Sequence, residues 1–221
     1  MNTEIGIKVN DHKAGEALKV PEDDQLDLGI LLELGSIGAG HAATSLSDVL
    51  QQPITIDVPK IHSIEAHLIP QFYNLHDVPT TAIYLQLSEK YGCDILLMFE
   101  YTEAKKIAAM MTMVSSVEEL DPSMETSALQ ELANILIGSF LTSISDFVGI
   151  GLLPTTPETV TDTFDAIIDN FLIKQSLASD GNAMIFETQF KRNGEDAKSF
   201  LMIFPTKELK QLLVEKSKEM T

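Results

Sequence analysis

Residues 27–59 read DLGILLELGSIGAGHAATSLSDVLQQPITIDVP, and residues 125–157 read ETSALQELANILIGSFLTSISDFVGIGLLPTTP. Laid on each other at an offset of 98, they agree at ten of 33 positions: Leu31/Leu129, Glu33/Glu131, Leu34/Leu132, Ile37/Ile135, Gly40/Gly138, Thr44/Thr142, Ser45/Ser143, Ser47/Ser145, Asp48/Asp146 and Pro59/Pro157. Chance would leave roughly two, so an internal duplication is the better account. In the first stretch Leu28, Leu31, Leu34, Leu46 and Leu50 recur at helical spacing around a small-residue centre. Further along, Leu97-Met98 and Thr102 recur as Leu201-Met202 and Thr206 at an offset of 104, so the second copy is about six residues longer.

The order of elements repeats too. Residues 1–22 are polar and aperiodic and predict a loose arm, with a helix-start signal at Pro21-Glu22-Asp23-Asp24. The first copy, about 25–114, predicts a helix over 25–50 and a strand over Pro53–Val58. Residues 62–78 are too irregular for more than one short helix. Strands Thr81–Leu87 and Asp94–Glu100 then flank a turn at Ser88–Cys93, and a helix follows over Thr102–Met113, capped by Thr102. The second copy, about 123–220, predicts helices over Ser123–Val148 and Asp162–Leu177. Its hairpin, Ala183–Phe190 with Lys198–Phe204, turns at Asn193-Gly194, and a helix closes the chain over Thr206–Met220. The expected architecture is α/β (α+β): residues 23–221 as a single domain of two pseudo-equivalent copies, their long helices packed on a β-sheet.

Composition narrows the chemistry. The 221 residues are 44% hydrophobic with only 9 Pro and 12 Gly, which excludes a disordered or fibrous chain. Asp and Glu number 33 against 15 Lys and Arg, a net charge of −18 that argues against nucleic acid and against anionic membrane surfaces. Arg192 is the single arginine, so no arginine cluster clamps a phosphate. No Lys or Arg occurs from Val20 to Pro59 or from Ile107 to Ile173, and the latter stretch accumulates ten carboxylates. One Cys excludes a disulfide framework and fits a reducing, cytoplasmic setting. The opening MNTEIGIKVNDHK has no apolar run of a signal peptide, and no run of about 18 uninterrupted apolar residues predicts a membrane span.

Within the second copy Ser127, Glu131 and Asn134 fall at i, i+4 and i+7, one face of a helix, and Pro157 lies 23 residues beyond Asn134. The first copy keeps Glu33 and Pro59 but has Gly29 and Ser36 in place of the Ser and the Asn. This pattern, with LGSIGAGHAATSLSDVL in one copy and ELANILIGSFLTSISDF in the other, resembles the CheC/CheX/FliY family of response-regulator phosphatases over about residues 25–220. The resemblance implies a pseudo-two-fold CheC-like fold and hydrolysis of the aspartyl-phosphate of CheY. CheY would hold the Mg²⁺ and a lysine, and this chain would need no cofactor or metal of its own. Asn134 would orient the attacking water, Glu131 would pair with the receiver's lysine, and Ser127 and Pro157 would support them. Ser36 lacks the amide, so the first site, Glu33, Ser36 and Pro59, is expected to be degraded. The same resemblance makes the helix from Asp162, with Phe164 and Asp165, a candidate surface for the deamidase CheD. Those Phe and acidic residues depart from the family's small-residue pattern. A monomer, or a heterodimer with CheD, is the expected state.

Two other readings compete. One is a non-catalytic adaptor that binds CheY-P or CheD through the same helices. The other is a dinucleotide site, because Gly38–Ala43 fits G-x-G-x-x-A with Asp57 further on. That fingerprint needs a preceding strand, and Asp27–Ile37 reads as helix, so close packing of the central helices explains the small residues better. The five His residues show no paired metal spacing, and Cys93 reads as a packing residue.

Overall fold

A computed structural model describes residues 28–87, 91–175, 182–192 and 195–219. The expected arm, the helix start at Pro21–Asp24, residues 88–90 of the first hairpin turn and Asn193-Gly194 lie outside the described residues. The first copy runs α1 (Leu28–Leu50), β1 (Thr55–Ile56), β2 (Lys60–Glu65), α2 (Ile69–Tyr73), β3 (Pro79–Leu87), β4 (Cys93–Glu100) and α3 (Tyr101–Thr112). The second runs α4 (Pro122–Val148), β5 (Glu158–Thr163), α5 (Phe164–Gln175), β6 (Asn182–Arg192), β7 (Glu195–Pro205) and α6 (Lys207–Glu219).

All seven strands join one antiparallel sheet in the order β1-β6-β7-β4-β3-β5, with β2 following β1 along the outer side of β6. Central β4 is apolar almost throughout because both sheet faces are covered. Its Ile95, Leu97 and Phe99 enter the core beneath α1, α3, α4 and α6, while Leu96 and Met98 enter a second core beneath α2 and α5. Leu97 pairs with Leu201, the residue 104 places later, so the pseudo-two-fold axis passes through the β4–β7 pair. Equivalent strands of the two copies cross over: β2 pairs with β6, and β5, offset from β2 by 98, pairs with β3.

Two strands depart from the sequence expectation. β2 falls in the stretch read as irregular, and β5 occupies Asp162 and Thr163, which were expected to begin a helix. Both are edge strands with little burial, so neither carries an alternating apolar face. Their partners supply the order through backbone pairing. At α3 the Thr102 cap is absent. The helix begins after Glu100, and the Thr102 hydroxyl donates to the Glu100 carboxylate at 3.0 Å.

The repeated residues make repeated bonds. Thr44 Oγ1 donates to the Gly40 carbonyl at 3.0 Å, and Thr142 Oγ1 to that of Gly138 at 2.8 Å. Ser47 Oγ accepts the Ile54 amide at 2.9 Å, and Ser145 Oγ accepts the Leu152 amide at 3.1 Å. In each copy this hydroxyl turns the chain back after the helix. The helices themselves cross closely: a methyl group on Gly38 would sit 2.9 Å from the Cα of Phe140. Gly38 is therefore a packing residue inside a helix, which disposes of the dinucleotide reading. By length and composition α4 could cross a membrane, but its apolar side chains form the core with the sheet, α1 and α3.

The contact at Gly38 predicts opposite outcomes for two similar substitutions. Gly38→Ala should destabilise the protein by about 1–3 kcal/mol through overpacking. Gly40→Ala meets nothing within 4 Å and should gain up to about 1 kcal/mol of helix propensity. Urea unfolding of the two variants measures both.

Candidate functional site

α4 starts at a built cap. The Ser123 hydroxyl and amide donate to the Asp121 carboxylate at 2.5 and 2.8 Å and hold it below its usual range, and Pro122 occupies the first turn. Twenty-seven residues follow without a break, ending at Gly149, whose φ of 72° is left-handed. Leu129, Leu132, Ala133, Leu136, Ile137 and Phe140 face inward. Ser127, Glu131 and Asn134 face outward and are exposed. From Ser127 to Asn134 the rise is about 10 Å along the helix. Neither Glu131 nor Asn134 makes a side-chain hydrogen bond or ion pair among the described residues. Their polar atoms are free for a partner on a rigid support.

Pro157 is buried, and its carbonyl accepts from Gln130 Nε2 at 3.0 Å, which ties the segment before β5 to the helix beside Glu131. Sequence reasoning missed Gln130. The first copy has Leu32 at that place, so comparison of the copies does not reveal it. There Pro59 packs instead against α1, its Cγ lying 3.2 Å from where a Cβ on Gly35 would stand. In both copies the proline props the site helix and holds no reacting group.

The first-copy site differs in chemistry. Glu33 is exposed, but the Ser36 hydroxyl donates to the Leu32 carbonyl at 2.6 Å. A serine committed to its own helix cannot both donate to and accept from a water. Beside Glu33 a groove of about 290 Å³ opens between the first half of α1 and the end of α4, with Asp146 and Phe147 on its far wall.

The proposed partner helix takes a different form. Asp162 lies in β5, where its carboxylate accepts the Thr163 amide at 2.7 Å. Phe164 is 1% exposed in the second core against Tyr73, and Asp165 bonds His76 at 2.6 Å. These three residues are engaged within the chain, and Phe164 is a core residue. Cys93 is the first residue of β4, and burial pushes its thiol well above the ordinary range. Among the described residues no group of three or more His, Cys, Asp or Glu could hold a metal ion.

Replacing Gln130 by Leu, the residue of the first copy, should cost about 0.5–1.5 kcal/mol by leaving the Pro157 carbonyl without its donor. Chemical denaturation of Gln130→Leu against wild type checks this.

Residues 124–161, which contain Ser127, Glu131, Asn134 and Pro157, match the CheC-like family. The chain is 28% identical over 189 residues to the CheY-P phosphatase CheC of Bacillus subtilis (strain 168), covering 83% of this chain and 89% of that protein. It is 30% identical over 173 residues to the flagellar motor switch phosphatase FliY of the same organism, covering 72% of this chain and 44% of that longer protein. The crystal structure of Thermotoga maritima FliY shares the fold, with a TM-score of 0.70 at 20% identity over 91% of this chain and 99% of that one.

Proposed function

We propose that the chain is a CheC-like protein and that it accelerates hydrolysis of the aspartyl-phosphate of a CheY-type receiver through one full site on α4. The observation that carries this reading is the pair Glu131 and Asn134, exposed, unengaged and one turn apart on a helix whose other face is core. Hydrolysis of an acyl phosphate requires a water placed in line with the bond from phosphorus to the aspartyl oxygen. The water oxygen forms the new bond to phosphorus, the aspartyl oxygen leaves as carboxylate, and the water's proton passes to solvent or phosphate. An amide suits the task because it accepts from the water and donates to the phosphoryl group without adding negative charge. Glu131 fixes the register by pairing with a receiver lysine. Gly138, one turn beyond Asn134, has nothing within 4 Å of where its Cβ would stand, so the helix presents no bulk there.

The charge distribution supports this division of roles. α1 and α4 contain no Lys or Arg, so this face offers no cation to a phosphoryl group. The receiver brings the Mg²⁺ that neutralises the phosphoryl oxygens. The single free cysteine, Cys93, is buried, which fits the reducing cytoplasm in which we place the protein. Docking of a CheD-type partner on α5 would have to use its outer side, where Asp169 and Asn170 are exposed.

The test is the decay of a phosphorylated receiver. Asn134→Ala should remove the acceleration by about 10²-fold, the scale of a lost positioning contact. Ser36→Asn should add turnover at the first site. Wild-type protein that binds the receiver without hastening decay would make the chain an adaptor.

A further inference from the structure

Glu33 does not stand alone in its groove. Asp146, from the far end of α4, lines the same cleft, and Ile30, Ile37 and Phe147 supply apolar wall. The two carboxylates thus belong to different copies. The antiparallel crossing of the long helices produces this arrangement, because the start of α1 runs beside the end of α4. Asp146 is itself a repeated residue, and its counterpart is Asp48 near the end of α1. The pseudo-two-fold relation that carries Glu33 to Glu131 carries Asp146 to Asp48. Asp48 and Glu131 are both exposed, and neither helix carries a Lys or Arg to neutralise them. At this full site Ile135 and Val49 take the places of Ile37 and Phe147.

We propose that each site is completed by an aspartate from the other copy, Asp48 beside Glu131 and Asp146 beside Glu33, and that the carboxylate pair seats one basic side chain of the partner protein. A Lys or Arg meets both demands of the cleft. Its alkyl stem lies on the apolar wall and its cation stands between two carboxylates. An acidic segment or a phosphate is repelled by the same pair. Asp48 is then a positioning residue: it sets affinity and register, while Asn134 sets the geometry of the water. The inference rests on the phosphatase reading above, since the basic side chain is assigned to the receiver.

The experiment measures decay of the phosphorylated receiver by the full chain across a range of salt concentrations. Asp48→Asn should raise KM by about three- to tenfold, put the larger share of its loss in KM, and flatten the salt dependence of kcat/KM. Asp48→Glu should restore wild-type behaviour. Wild-type KM and salt dependence in Asp48→Asn, alongside lost acceleration in Asn134→Ala, would overturn the pairing and leave the phosphatase reading standing. Acceleration retained in Asn134→Ala would overturn both. A lowered melting temperature in Asp48→Asn, with no rescue by Glu, would make Asp48 a structural residue and sink the proposal.

Discussion

Backbone meets backbone where Gly38 lies against Phe140, and the layout of the functional face depends on that contact. Only a residue without a side chain lets α1 and α4 cross so closely. Glu33 lies five residues before Gly38 and Glu131 nine before Phe140, about 8 and 14 Å along their helices at 1.5 Å per residue, so each Glu stands on its own side of the contact. The two Glu positions lie toward opposite ends of an antiparallel pair. A bulkier residue at 38 would separate the helices and widen the groove beside Glu33.

Electrostatics shapes the same surface in another way. A helix pair that carries Glu33, Asp48, Glu125, Glu131 and Asp146 with no Lys or Arg, and His41 as its one histidine, repels anions. Such a surface holds no free phosphate ester. It is suited to a protein substrate that arrives with its own positive charge, and the asparagine at 134 adds hydrogen bonding without adding to the repulsion. The −18 net charge therefore bears on substrate class. Local structure agrees: Glu131 and Asn134 keep their polar atoms for a partner, whereas Ser36 has turned its hydroxyl back to Leu32.

Much of this was legible in the sequence because the duplication doubles every signal. The long helices, both hairpins and the site stripe on α4 follow from apolar spacing and from the 98-residue offset. The edge strands β2 and β5 were not legible, since half-exposed strands such as Lys60–Glu65 and Glu158–Thr163 are ordered by partners remote in sequence. Phe164 belongs to an apolar stripe in the sequence, but its packing against Tyr73 is a tertiary fact. Gln130 was invisible because it exists in one copy alone. Asp146 was visible as an identity, but its place beside Glu33 required the helix crossing.

The exchange of β2 and β5 between the copies has a consequence for how such a protein can change over generations. β2 completes the sheet of the second copy and β5 that of the first. Neither half can be shed after its chemistry decays, because the surviving half would lose an edge of its own sheet. Each half is therefore held under selection for folding, whatever its own helix face does.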